Sequence, residues 1–408
     1  MPEDDVAFYD EHIDLIGRYE HPELIDFVGD HATHVAGILI GNGSNNSNYK
    51  GIAIKASLVS YELDDPAGYN QSGDIEEDYY EGINTYNARV ASNSWGAIIS
   101  NSSYYGDYTL TSELLDSIVI GYLSKKIPIV WAVGNERLEF LINYSTVLPK
   151  ASAKNIVSVG ATNSDDNSSA IFSSMGPTDD GRIKPEIVAP GCRGNGLLGQ
   201  GITSTITDRF IDIYNNLDYS QEVSDGVDDY DFAYDTMCGT SMSAPHVSGT
   251  IALMLEQWNK SGYDEDPLPS TIKALLLDST TDLNRTGNGD QVIDGPDYVN
   301  GYGLLNAKGA VDRIINGTFL EANISDISDV DVYAINISAQ SSLKVTLAWD
   351  DVPGANLIND LDLKLLSPSG QTFYPWTLDP NTPAREAWRN ESDHLNNVEQ
   401  VYVNGNSL

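Results

Sequence analysis

Residues 238–250 read CGTSMSAPHVSGT, with Ser241 directly after Gly239 and Thr240 and directly before an apolar helical pattern. A serine in the first turn of a helix sits at the positive end of the helix dipole. Its own N–H has no acceptor within the helix, so it is open to a developing oxyanion. The commonplace alternative is an N-cap serine. A thirteen-residue string with small residues at Ser243, Ala244 and Gly249, where other elements can approach closely, says more than a cap would.

Three further stretches carry matching chemistry. HATHVAG at residues 31–37 puts His34 at the start of a second apolar helix, where it could serve as general base to a serine. WAVGNE at 131–136 ends an apolar strand in Gly134-Asn135, and an Asn amide there can supply a second oxyanion donor. SNSWG at 92–96 offers an extended Ser94-Trp95-Gly96 whose free backbone groups could pair with a peptide as an added strand. Standing alone, His34 is as readily a structural histidine, and Gly-Asn a turn; together with the serine string they point to acyl transfer.

These residues need a rigid frame. Up to about residue 312, strand-like runs (57–61, 127–133, 156–159) alternate with helix-like runs (34–40, 112–123, 243–258, 270–277). That alternation predicts an α/β fold, a parallel sheet covered by helices on both faces in three layers. From about 318 the pattern changes to period-two alternation at 330–337 and 343–349, with short strands at 360–366 and 398–403 and a turn at Pro368-Ser369-Gly370. This predicts a small antiparallel, jelly-roll-like β-sandwich over 318–408, incomplete by one or two strands. The expected division is therefore 1–312 and 318–408.

Composition narrows the class. In 408 residues, 60 Asp and Glu face 22 Lys and Arg, a formal net charge of -38. Such a surface repels nucleic acid and anionic membranes. The excess reads first as a solvated, salt-adapted face and second as calcium-binding loops. TGNGDQVIDGPD at 286–297 packs Asp290, Asp294 and Asp297 among glycines, and NDLDL carries Asp360 and Asp362, so both suit either an oxygen-ligand calcium loop or a solvated turn. No run approaches a membrane span. The acidic opening is no signal peptide, and sequons at Asn101, Asn143, Asn316 and Asn336 hint only weakly at export. Two cysteines, Cys192 and Cys238, exclude a disulfide-dense scaffold.

Taken together, HATHVAG, AVGNE and GTSMSAPH resemble the subtilisin-like serine proteases, the subtilases. FSSMGPTDDGRIKPEIVAPG at 172–191 and GYGLLNA at 301–307 resemble further blocks, and LAWDD, LINDLDLKLLSPSG and NNVEQVYVN resemble those alkaline, oxidation-tolerant subtilases that carry a C-terminal β-sandwich. The resemblance implies Ser241 as nucleophile, His34 as general acid/base, and Asn135 with the Ser241 N–H as oxyanion hole. It implies a primary pocket walled by Ser94, Trp95 and Gly96 on one side and Ala132, Val133 and Gly134 on the other. That pocket is expected to tolerate large apolar side chains. A Cys192–Cys238 disulfide near the nucleophile would suit an exported protein, two buried thiols being the alternative. Polypeptide substrates, a monomer, an extracellular or cell-surface location and no cofactor for the chemistry itself follow from the same resemblance, with calcium at most structural.

One departure matters. The family orients its histidine with an aspartate in an Asp-Thr-Gly-type turn, and no such block occurs here. HIDLIGRY at 12–19 resembles the segment after that turn, so the aspartate and its strand are expected upstream of Met1, in a longer precursor. In subtilisin, loss of the aspartate alone costs about 3 × 10⁴ in turnover. The competing reading is a catalytically impaired or non-catalytic subtilase-fold module that binds peptides or serves at the cell surface.

Overall fold

A computed structural model describes residues 12–23, 29–61, 71–96, 101–137, 144–207, 234–283, 294–337 and 341–404. Its elements run β1 (Tyr19–Glu20), α1 (Asp30–Ile40), β2 (Leu58–Val59), α2 (Gln71–Asn84), β3 (Ala91–Asn93), α3 (Leu110–Val119), β4 (Ile129–Ala132), β5 (Val157–Asn163), β6 (Ile187–Cys192), β7 (Ile202–Thr205), β8 (Tyr234–Met237), α4 (Thr240–Lys260), α5 (Pro269–Ser279), α6 (Ala307–Asn316), β9 (Leu343–Ala348), β10 (Leu365–Leu366), β11 (Thr372–Phe373) and β12 (Val398–Val403).

Strands β3-β4-β5-β6 form a parallel sheet in that order, with Val130 opposite Val157 and Ala132 opposite Val159. Side chains of a strand alternate between faces, and here both faces are apolar. Val130, Ala132, Val157 and Val159 pack against Val247, Ile251 and Met254 of α4 and Ile272 and Leu276 of α5. Ile129, Trp131 and Val133 turn the other way, onto Leu115, Ile118 and Val119 of α3 and Ile75 and Ile83 of α2. The result is the three-layer α/β arrangement that the alternation predicted. Full burial of each such side chain contributes about 1.5–3 kcal/mol.

The parallel sheet is interrupted. β1 and β2 pair parallel with each other but hydrogen-bond to none of the other described strands, leaving β2 and β3 without a mutual ladder. Helix α1 bridges this region by packing on α4 and on β7. Gly37 makes the second contact possible, because a Cβ there would lie 2.2 Å from Thr205 Oγ1 and 2.3 Å from Ser204 Oγ. Those hydroxyls donate to Thr33 O (2.7 Å) and His34 O (2.8 Å).

The C-terminal region holds antiparallel strands, as expected, but as two pairs: β9 with β12 over six residues, and the short β10 with β11. Residues 330–337, whose alternation predicted a strand, form no ladder, and Val330, Val332 and Ile335 stand exposed. Alternation reports a two-faced segment; a strand also needs a partner's N–H and C=O groups, and none of the described strands supplies them. Trp376, Leu378, Ala387 and Val398 join the same core cluster as α4 and α5, so apolar packing runs unbroken into this region.

A buried polar clasp reinforces that junction. Asp116 of α3 accepts from the N–H groups of Lys154 (3.1 Å) and Asn155 (2.7 Å), fixing the approach to β5. Lys154, fully buried, then donates to Asp351 Oδ2 (2.5 Å), Val352 O (2.7 Å) and Asn356 O (2.8 Å). Asn155 Nδ2 donates to Asp351 O (2.8 Å). Deeper in, Glu186 accepts from Lys184 (2.5 Å) and Lys273 (2.7 Å), all three buried.

Candidate active site

Ser241 is the second residue of α4, half-buried, with Gly239 as the residue before the helix. Pro245 stands four residues on, inside the helix. Proline has no N–H, so it leaves the Ser241 carbonyl without its intrahelical donor. Ser94 Oγ takes that place, donating to Ser241 O at 2.9 Å, while Ser241 Oγ donates to Ser94 O at 3.1 Å. The serine is thus held reciprocally by the loop that leaves β3.

Asn135 lies just beyond β4. Its Oδ1 accepts from Thr240 N (2.9 Å) and Thr240 Oγ1 (3.1 Å). With the oxygen anchored there, the amide nitrogen faces Gly239. A Cβ on Gly239 would lie 3.6 Å from Asn135 Nδ2 and 3.7 Å from Ser241 N. Glycine therefore leaves open a space lined by these two N–H donors and by Met242 Sδ (3.7 Å), and such a pair of donors is what stabilises an oxyanion.

His34, in the first turns of α1, is fully buried. Its Nε2 lies 2.9 Å from Ile202 O and 3.2 Å from Asp235 O, on the antiparallel β7–β8 pair. Both are acceptors, so Nε2 carries the proton and Nδ1 the lone pair. Nδ1 is buried with no hydrogen-bond partner among the described residues. Desolvation pushes the imidazole down to about 4, against the two carbonyls, which favour the charged form. The structure therefore brings Ser241 and Asn135 together, but not His34 and Ser241 into a hydrogen bond. Asp30 accepts from Thr207 N (2.9 Å) and Thr207 Oγ1, a tether from α1 to the chain after β7.

The two expected pocket walls follow the C-terminal ends of adjacent parallel strands, where ligands of open α/β sheets bind. Ser94 is buried, Trp95 and Gly96 half-buried, and Ala132, Val133 and Gly134 buried. Trp95 stacks on Trp131 at 5.0 Å and carries Lys150 Nζ 3.9 Å from its ring. The backbone of 94–95 is less free than expected. Ser94 O is taken by Ser241 Oγ, and Trp95 O accepts from Trp131 Nε1 (3.0 Å).

Cys192 and Cys238 form a disulfide that ties the end of β6 to the turn entering α4. The expected calcium ligands Asp297, Asp360 and Asp362 have other partners. Asp290 lies outside the described residues. Asp297 Oδ1 accepts from Val299 N (2.7 Å) and Asn300 N (2.6 Å), capping its own turn. Asp360 pairs with His394 (2.7 Å) and Asp362 with Lys364 (3.6 Å), while Asp294 is exposed. Among the described residues no group of three His, Cys, Asp or Glu side chains is placed to hold a metal ion. The sequence missed the β7 and β8 carbonyls on His34, which no motif marks. Pro245, visible in SAPH, was the available sign that Ser241 O needs an outside donor.

Residues 3–303 match the Subtilase family, Peptidase_S8. The chain belongs to this family of serine proteases. It is 24% identical to the serine protease/ABC transporter B family protein tagD of Dictyostelium discoideum, over 92% of this chain and 27% of that protein. To the serine protease AprX of Bacillus subtilis it is 27% identical, over 72% of this chain and 64% of AprX. The chain thus spans about a quarter of tagD and under two thirds of AprX. The fold is similar to the prenylagaramide maturation protease PagA, with a TM-score of 0.53 and 21% identity over 76% of this chain and 91% of that one. None of the described helices is long and apolar enough to cross a membrane.

Proposed function

We propose that this protein is a serine endopeptidase that hydrolyses polypeptides through an acyl-enzyme on Ser241. The carrying observation is the open space beside Gly239, flanked by Asn135 Nδ2 and Ser241 N. In this reading Ser241 Oγ attacks the scissile carbonyl, and the carbonyl oxygen moves between those two donors. His34 takes the serine proton and returns it to the leaving amine. For this, Nε2 must leave the carbonyls of Ile202 and Asp235 and shed its proton. A carboxylate accepting from Nδ1 would select the required tautomer. The orphaned Nδ1 and the interrupted sheet between β2 and β3 support a carboxylate-bearing strand supplied from outside the described residues. Secretion and action as a monomer belong to the same proposal; similarity to an extracellular protease of Xanthomonas campestris, 25% identical, supports the former.

The test is labelling with a fluorophosphonate, mapped by mass spectrometry. Modification of Ser241, absent in Ser241→Ala, is expected, together with hydrolysis of a denatured protein substrate. Absence of both overturns the enzyme reading. The rival reading, a peptide-binding module, is favoured by the hold of β7 and β8 on His34, and would show peptide binding without labelling.

A further inference from the structure

Leu148 connects the two pocket walls. A Cβ on Gly96 would lie 2.7 Å from Leu148 Cδ1, and a Cβ on Gly134 would lie 2.8 Å from Leu148 Cγ. Both glycines therefore face one space, one from each wall, and the Leu148 isobutyl group fills it. Only 7% of Leu148 is exposed, so the slot is closed rather than open above it. On the Gly134 side the buried Glu136 carboxylate lies nearer still, its Oε2 accepting from Ser174 Oγ (3.0 Å), which is itself 2.9 Å from the Cβ position, so Leu148 shares that side of the space with Glu136.

The leucine has little freedom to swing aside. Its N–H donates to Val133 O (3.0 Å), and Val147 O accepts from Gly106 N (2.8 Å). Pro149 follows with its own backbone angle fixed, and its carbonyl accepts from Ser112 Oγ (2.7 Å). Val133, Val147 and Leu148 share one buried cluster with Trp131, so the side chain is packed as well as tethered.

Resting on the reading of this cleft as the substrate site, we infer that Leu148 restricts the residue preceding the scissile bond to small side chains: glycine, alanine or serine. This reverses the expectation of a pocket tolerant of large apolar groups, which considered the walls alone. A phenylalanine ring would have to occupy the volume that Leu148 holds. A side chain of one or two heavy atoms is too short to need that volume.

Binding of product-like peptides tests this without requiring turnover. Dye-labelled tetrapeptides ending in alanine or phenylalanine carboxylate are titrated into the full chain and read by fluorescence anisotropy. Each methylene in an apolar pocket is worth about 10–200-fold in discrimination. The alanine peptide is therefore expected to bind at least about tenfold more tightly than the phenylalanine peptide. Leu148→Ala should shift the ratio at least about tenfold toward phenylalanine, and Leu148→Val, milder for folding, by less in the same direction. An unchanged ratio in both variants, a wild-type preference for phenylalanine, or binding of neither peptide overturns the inference. Fluorophosphonate labelling of the same samples separates the two levels. Labelled Ser241 with an unmoved ratio removes only the role of Leu148, whereas loss of labelling removes the reading beneath it.

Discussion

His34 and Ser241 lie near the N-terminal ends of two helices packed on each other, yet each side chain is bonded to a different main-chain carbonyl. His34 Nε2 is held by Ile202 O and Asp235 O, and Ser241 Oγ by Ser94 O. In the mechanism proposed above, the oxyanion donors are in place and the base is held by other partners. Pre-organised donors with a disengaged base predict slow chemistry at a formed site, rather than a site that has to be built.

The donors can be tested apart from the anchor. Asn135→Asp keeps an oxygen for Thr240 and removes the N–H beside Gly239. The rate of Ser241 labelling is expected to fall about 10²–10³-fold with the melting temperature little changed. Undiminished labelling would show that Asn135 only braces α4.

Burial of His34 makes stability depend on pH. The folded imidazole titrates at about 4, the unfolded one at 6.5. The folded state thus holds the neutral form while the unfolded chain takes up a proton. The contribution is complete above pH 6.5 and is lost as pH falls toward 4, by about 3 kcal/mol in all. Urea unfolding of wild type and His34→Gln between pH 7 and 4 isolates it: the wild type should lose more. Parallel curves would contradict the buried, neutral histidine.

Lys154 and Asp351 give a prediction for the C-terminal junction. Lys154→Met leaves a fully buried carboxylate without its cation, which costs about 3–5 kcal/mol. Denaturant unfolding should show that loss, and tryptophan fluorescence should report loosening around Trp349, whose Nε1 donates to Asn359 O (2.8 Å). A change within about 0.5 kcal/mol would mean that the apolar core alone secures the junction.

The disulfide closes a long loop, with a sequence separation of 46. Loop-closure entropy assigns such a cross-link about 4 kcal/mol. Replacing both cysteines, Cys192→Ser with Cys238→Ser, should lower the denaturation midpoint accordingly. An unshifted midpoint would place the stability of this segment in the hydrogen bonds around Gly239 instead.

Much of this was legible beforehand, and unevenly so. α4 begins at Thr240 and the nucleophile string sits on its first turn, because Gly-Thr-Ser before an apolar run is a local signal. The central strands were equally plain, since valine and isoleucine runs can only be buried on both faces. What escaped is non-local. His34 meets carbonyls 168 and 201 residues away, and any residue could have supplied them. Leu148 is one leucine among many until two glycines are seen to face it. Residues 330–337 failed for the opposite reason: their pattern was clear, but its partner lay beyond what a pattern can specify.

The buried cations have a consequence for the outside of the molecule. Among the described residues five cations are buried, Arg137, Lys154, Arg182, Lys184 and Lys273, of 22 basic residues in the chain, against eight carboxylates of 60. The interior thus takes a larger share of the cations than of the carboxylates, so each carboxylate left at the boundary with water has fewer counter-charges than the composition suggests, and simple electrolyte must do the neutralising. Small cations crowding such a boundary shorten the reach of its repulsion to about 10 Å at 0.1 M salt and about 3 Å at 1 M. The fold is therefore expected to tighten as sodium chloride rises, and cationic stretches of a polypeptide to be drawn in first when the medium is dilute.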